Sequence, residues 1–187
     1  MGPFGNRSGG MGQQGQRRGL KLWPILLFGL YFGWYYFSHR SEASFTGRQQ
    51  MLDSTAQEEA ALGLQSYQEI LQTSQVVRSG PLPQRVQDIA QRLVEAAPKV
   101  EKYLAEQAGV PASTDWSAYQ WQVSVIESDQ VNAFCLPGGK IAVYTGIVPV
   151  AANTDGLAVV MGHEIAHALM RHGGERMAQQ KLVQIGS

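Results

Sequence analysis

Cysteine is almost missing from this chain: Cys135 stands alone among 187 residues. No intramolecular disulfide can form, and the redox compartment stays open. The first 21 residues contain no acid, yet Arg7, Arg17, Arg18 and Lys21 fall there. The remainder carries 11 basic against 15 acidic residues, a mildly acidic body that gives no sign of nucleic-acid binding. No internal repeat is visible, and the length suits one domain with a real core rather than two. Residues 177–187 contain no His, Cys, Asp or Glu, so that stretch offers a metal no side-chain ligand.

What is present divides into four segments. Residues 1–19 are rich in Gly, Gln and Arg and poor in large apolar groups. Such a composition predicts a disordered arm, because burial cannot offset the entropy of ordering it. Residues 20–39 contain "LWPILLFGLYFGWYYF", 22–37, without a charge. As a helix these residues reach about 24 Å, short of a hydrocarbon layer of ~30 Å. Lys21 can snorkel at one end, and Trp23, Trp34, Tyr35 and Tyr36 suit the two interfaces. We expect a transmembrane helix here, contacting lipid, with the basic N-terminus cytoplasmic. A signal peptide cut near Ser41-Glu42-Ala43 is the alternative. Residues 40–52 read as a polar tether.

The body, 53–187, is expected to be α+β. Thr55 followed by Glu58 has the spacing of a capping box, and Leu64, Tyr67, Ile70 and Leu71 then recur at helical intervals. A second amphipathic helix follows Pro83, with Val86, Ile89, Ala90, Leu93 and Val94 on one side. "WQVSVIES", 121–128, alternates like a strand; "LPGG", 136–139, is a turn; "KIAVYTG", 140–146, is a further β-rich run. A helix should then open at Thr154 or Asp155 and close at Gly173-Gly174.

That last helix carries the chemistry, in "GHEIAHALMRHGGER". Residues advance about 100° each, so His163 and His167 lie about 40° apart, one turn removed, on one face. Both imidazoles can reach one ion, and Glu164 beside them can take a proton from water. A hydrolytic zinc ion normally has three protein ligands. His172 lies nine residues beyond His163, half a turn round a continuous helix, and should pack or hydrogen-bond on the far side with Ile165, Ala168 and Leu169. A lone Cys135 between Phe134 and Leu136 reads as a small buried apolar residue. Glu127, Asp129 and Asp155 lie upstream without a spacing that selects one.

"VNAFCLPGGKIAVYTGI" and "GLAVVMGHEIAHALMRHGGERM" resemble the HtpX and CAAX-prenyl-protease family of zinc metallopeptidases. The likeness spans about 55–180 and is most specific over 131–177, and it is strongest to the single-anchor or periplasmic quality-control branch that includes mitochondrial inner-membrane relatives. The resemblance implies a gluzincin, with a zincin-like domain of helices and a small sheet. His163 and His167 would bind one Zn2+ and Glu164 would be the base. A Glu on a later helix, beyond Ser187, would be the third ligand, which makes this sequence look truncated. The resemblance also implies an edge strand before the metal helix that pairs with extended substrate, and assigns Ile141, Ala142, Val143 and Tyr144 to it. It points to an endopeptidase for misfolded envelope proteins, tethered in a bacterial inner membrane with its peptidase domain periplasmic. Secretion to the periplasm after signal cleavage is the other location. The competing function is a binding module that holds unfolded clients without cutting them. Nothing in the sequence addresses oligomeric state.

Overall fold

The computed structural model describes residues 30–186 apart from 32, 35–37, 39 and 44. The arm expected at 1–19 and most of the anchor expected at 20–39 lie outside the described residues. Of the anchor, residues 30, 31, 33, 34 and 38 are helical. Among the described residues no helix is long and apolar enough to cross a membrane.

From residue 40 onward the order is β1 (Arg40–Glu42), β2 (Gln49–Met51), α1 (Ala56–Thr73), β3 (Val76–Val77), α2 (Pro81–Ala108), β4 (Gln122–Ile126), β5 (Ala133–Leu136), β6 (Lys140–Tyr144), α3 (Ile147–Ala151), α4 (Thr154–Leu169) and α5 (His172–Gly186). The supposed tether at 40–52 is an ordered antiparallel hairpin, β1 against β2. Its few apolar residues explain the difference, because Ala43, Phe45 and Met51 are buried, and Phe45 joins the main core.

The capping box at the start of α1 is present as expected. Thr55 Oγ1 accepts from Glu58 N–H at 3.2 Å, and Glu58 Oε2 accepts from Thr55 N–H at 2.8 Å. That second bond holds the Glu58 carboxyl below its ordinary range. Thr55→Ala is expected to lower stability by about 1 kcal/mol, read as a shift in the urea midpoint.

The main sheet has the order β3-β4-β6-β5. β4 and β6 are parallel, with Val123 opposite Ile141 and Val125 opposite Val143, whereas β5 runs antiparallel to β6, Cys135 facing Ile141. Helices cover both faces. Ile141 and Val143 pack with Val86, Ile89, Leu157, Met161 and Ile165 from α2 and α4. Ala142 packs with Tyr67 of α1 and with Ile126. Tyr67 donates to Ser124 Oγ at 2.8 Å and to Ile141 O at 3.1 Å, fixing α1 across β4 and β6.

This order corrects the edge-strand assignment. β6, with Ile141, Ala142, Val143 and Tyr144, is an interior strand, and Ile141, Ala142 and Val143 are at most 1% exposed. A continuous apolar run is the mark of a strand buried on both faces. The edge nearest α4 belongs instead to β5. The β5–β6 turn is the expected Pro137-Gly138-Gly139, both glycines having positive φ, 76° and 79°, a region open to glycine at little cost.

Candidate metal centre

α4 opens at Thr154, one of the two expected starts. Asn153 is its N-cap, accepting from Gly156 N–H at 2.8 Å. The helix is apolar around much of its circumference, burying Leu157, Met161, Ile165, Ala168 and Leu169 against the sheet and α2, although Val159 is exposed. His163 is left open to solvent, while Glu164 and His167 are half-buried. The structure brings the two predicted ligands together: their Nε2 atoms are 2.9 Å apart and their rings are nearly perpendicular, at 86°. Two nitrogens on a tetrahedral zinc, each about 2.05 Å from it, are roughly 3.3 Å apart. The pair therefore fits a zinc ion with a small adjustment of either side chain.

The C-terminal end of α4 departs from expectation. It ends at Leu169, not at Gly173-Gly174; Met170 is the C-cap, and Arg171 has φ 54°. Gly173 and Gly174 then lie in the first turn of α5. A left-handed arginine costs roughly 1–2 kcal/mol, and its side chain explains why it persists. Arg171 Nε donates to Glu59 Oε2 at 3.1 Å, and Nη2 donates to Glu59 Oε1 at 2.7 Å and to Ser54 O at 2.5 Å. Glu59 is 2% exposed and also accepts from Ser54 Oγ at 2.6 Å. Gly174 is required by this packing, since a Cβ there would lie 2.1 Å from Glu59 Oε1.

The break overturns the expected place of His172. A continuous helix would carry it away from His163 and His167, but the turn at Arg171 swings it back. Its Nδ1 lies 2.6 Å from His167 Nδ1. It still cannot share one ion with the pair, because Nδ1 and Nε2 occupy opposite edges of the His167 ring. Burial lowers the His172 pKa, with help from His167 and Arg48. Arg48, from the hairpin, also forms two hydrogen bonds with Glu175 of α5, at 2.8 and 2.5 Å.

Among the described residues no group of three His, Cys, Asp or Glu could hold a metal. Cys135, on β5, has its thiol pushed up to about 12, chiefly by burial and then by the charge of Glu164. At pH 8 native Cys135 should be alkylated by iodoacetamide roughly a thousandfold more slowly than in the unfolded chain. Equal rates would mean that burial does not protect it.

A helix presenting HExxH beside the edge of a small mixed sheet is the arrangement of a metallopeptidase. Residues 95–187 match Peptidase family M48, and the chain belongs to this family of zinc metallopeptidases. It is similar to the mitochondrial metalloendopeptidase OMA1 of Saccharomyces cerevisiae, 31% identical over 153 residues, which cover 78% of this chain and 41% of that protein. It is also similar to the human mitochondrial metalloendopeptidase OMA1, 27% identical over 168 residues, 86% of this chain and 30% of the relative. The β-barrel assembly-enhancing protease of Escherichia coli is 35% identical over 57 residues, 30% of this chain and 12% of that protein. The chain thus spans about two fifths or less of the length of these relatives.

Proposed function

We propose that this chain carries the metal-binding half of a zinc metalloendopeptidase site, with His163 and His167 as ligands and Glu164 as the general base. The observation that carries the reading is the 2.9 Å approach of the two Nε2 atoms on one helix face, with Glu164 next in sequence. A third protein ligand, from outside the described residues, completes the site in this reading. Zinc, when bound, supplies a Lewis acid for the scissile carbonyl and for water. Glu164 takes the proton from that water and hands it to the leaving amine.

Substrate binding falls to β5. Its outer edge, which pairs with no strand among the described residues, offers outward-facing backbone groups to an extended polypeptide, and β5 packs against α4. Backbone pairing of that kind suits unfolded segments of many sequences. Misfolded envelope proteins are the proposed substrates, and the name of the Escherichia coli relative, a protease that enhances β-barrel assembly, is consistent with them. Residues 20–39 serve as a retained anchor in a bacterial inner membrane, with 1–19 cytoplasmic and 40–187 periplasmic. Protease added to spheroplasts should digest the body and spare an N-terminal tag; a protected C-terminal tag would reverse the topology.

The second reading is a binding module that holds unfolded clients on β5 without hydrolysis. The lack of a third ligand among the described residues favours it. Casein cleavage that zinc restores after chelation supports the peptidase. Casein binding without cleavage, in a full chain that holds zinc, supports the module.

A further inference from the structure

His163 and His167 are positioned by being four residues apart on a helix, but that spacing does not decide which ring nitrogen carries the proton. An imidazole that binds metal through Nε2 must carry its proton on Nδ1, and the partner of the Nδ1–H fixes the tautomer. For His167 that partner is His172, at 2.6 Å between the Nδ1 atoms. The contact admits two arrangements. If His172 donates, His167 holds its proton on Nε2 and cannot bind a metal there. If His167 donates, its Nε2 lone pair is free and faces His163 Nε2 at 2.9 Å.

We propose that His172 is a positioning residue: its Nδ1 accepts the His167 Nδ1–H and holds His167 Nε2 ready for the metal. This rests on the metal-site reading above and adds a role that the HExxH motif does not contain. His172 is where it is because of the clamp one residue earlier. Arg171 takes a left-handed conformation, pinned by the buried Glu59 and by Ser54 O. Without that turn His172 would continue round α4 and leave His167. Gly174 lets α5 start directly against the same carboxylate, since any side chain there would meet Glu59. The position of a ligand's tautomer-fixing partner is therefore set from α1, more than a hundred residues upstream.

The test uses the full chain with 15N-labelled histidine at pH 8, where an ordinary imidazole is neutral. Long-range 1H–15N spectra of the metal-free protein should show His167 as the Nδ1–H tautomer and His172 as the Nε2–H tautomer. Zinc affinity is then measured by competition with a chromophoric chelator. His172→Leu should weaken zinc binding by about 10–100-fold, the usual cost of losing a ligand's hydrogen-bonding partner. His172→Asn should stay within about threefold of the parent, because Asn Oδ1 can stand near the Nδ1 position and accept the same bond. A merely structural role would not be rescued by Asn in this way. His167 found as the Nε2–H tautomer, or parental zinc affinity in a folded His172→Leu, overturns the proposal. If His172→Leu does not fold, the tautomer spectrum of the parent still decides. Failure of the parent itself to bind zinc overturns the metal-site reading together with this one. Equal binding by parent and His172→Leu overturns this one alone.

Discussion

Glu164→Gln is expected to leave zinc bound and to lower peptidase turnover by about 10²–10⁴-fold, the usual share of general-base catalysis. Gln has the shape of Glu without the basic oxygen, and at a half-buried position on α4 it disturbs neither the core residues Met161 and Ile165 nor the His163–His167 pair. Zinc content should match the parent, and the loss should fall on kcat rather than KM. Turnover within about threefold of the parent would remove Glu164 from the role of base. Loss of zinc with the activity would instead make Glu164 a ligand or a structural support of one.

Arg171→Leu should be the most destabilising of the substitutions considered. It strands the Glu59 carboxylate, 2% exposed, with only Ser54 Oγ as a hydrogen-bonding partner among the contacts described above. Removing one member of a buried ion pair costs about 3–5 kcal/mol, and solvent reaching the partly exposed Arg171 places the expected value toward the lower figure. Urea unfolding reads it directly. Two further variants separate the causes. Arg171→Gly loses the same ion pair but accepts φ 54° freely, so it should be about 1 kcal/mol less damaging than Arg171→Leu. Glu59→Leu combined with Arg171→Leu removes both charges and should be milder than Arg171→Leu alone. A double variant as unstable as the sum of its parts would show that the pair is not energetically coupled.

Locally determined features were legible in the sequence. The Thr55–Glu58 box, the Pro137-Gly138-Gly139 turn and the shared face of His163 and His167 all depend on residues within a few positions of one another. The break after Leu169 was not legible, because neither Met170 nor Arg171 is a helix-stopping residue and the nearest glycines come later. Gly174 suggested a helix end, whereas its use is to let Glu59 approach. The partner that bends the chain at Arg171 lies on α1, and no local pattern announces it. Strand order failed for a related reason. The edge assignment came with the family resemblance, but Ala142 is as buried as Ile141 and Val143 beside it, and the full run Ile141–Ala142–Val143 marks a strand enclosed by helices. The hairpin at 40–52 was hidden by its polar composition, in which Phe45 alone carries much of the attachment to the core.

The clamp between Glu59 and Arg171 spans 112 positions of chain, and the Arg48–Glu175 bonds span 127. Closing loops of that length is slow, because the entropy must be given up before the contacts form. During synthesis α1 and the hairpin emerge long before their partners. The HExxH helix can form its own hydrogen bonds as soon as it is made, yet the corner that follows it is held only when Arg171 docks on the Glu59 carboxylate, made long before. The placement of His172 against His167 accordingly depends on contacts between distant parts of the chain, whereas the approach of His163 to His167 depends on one helical turn.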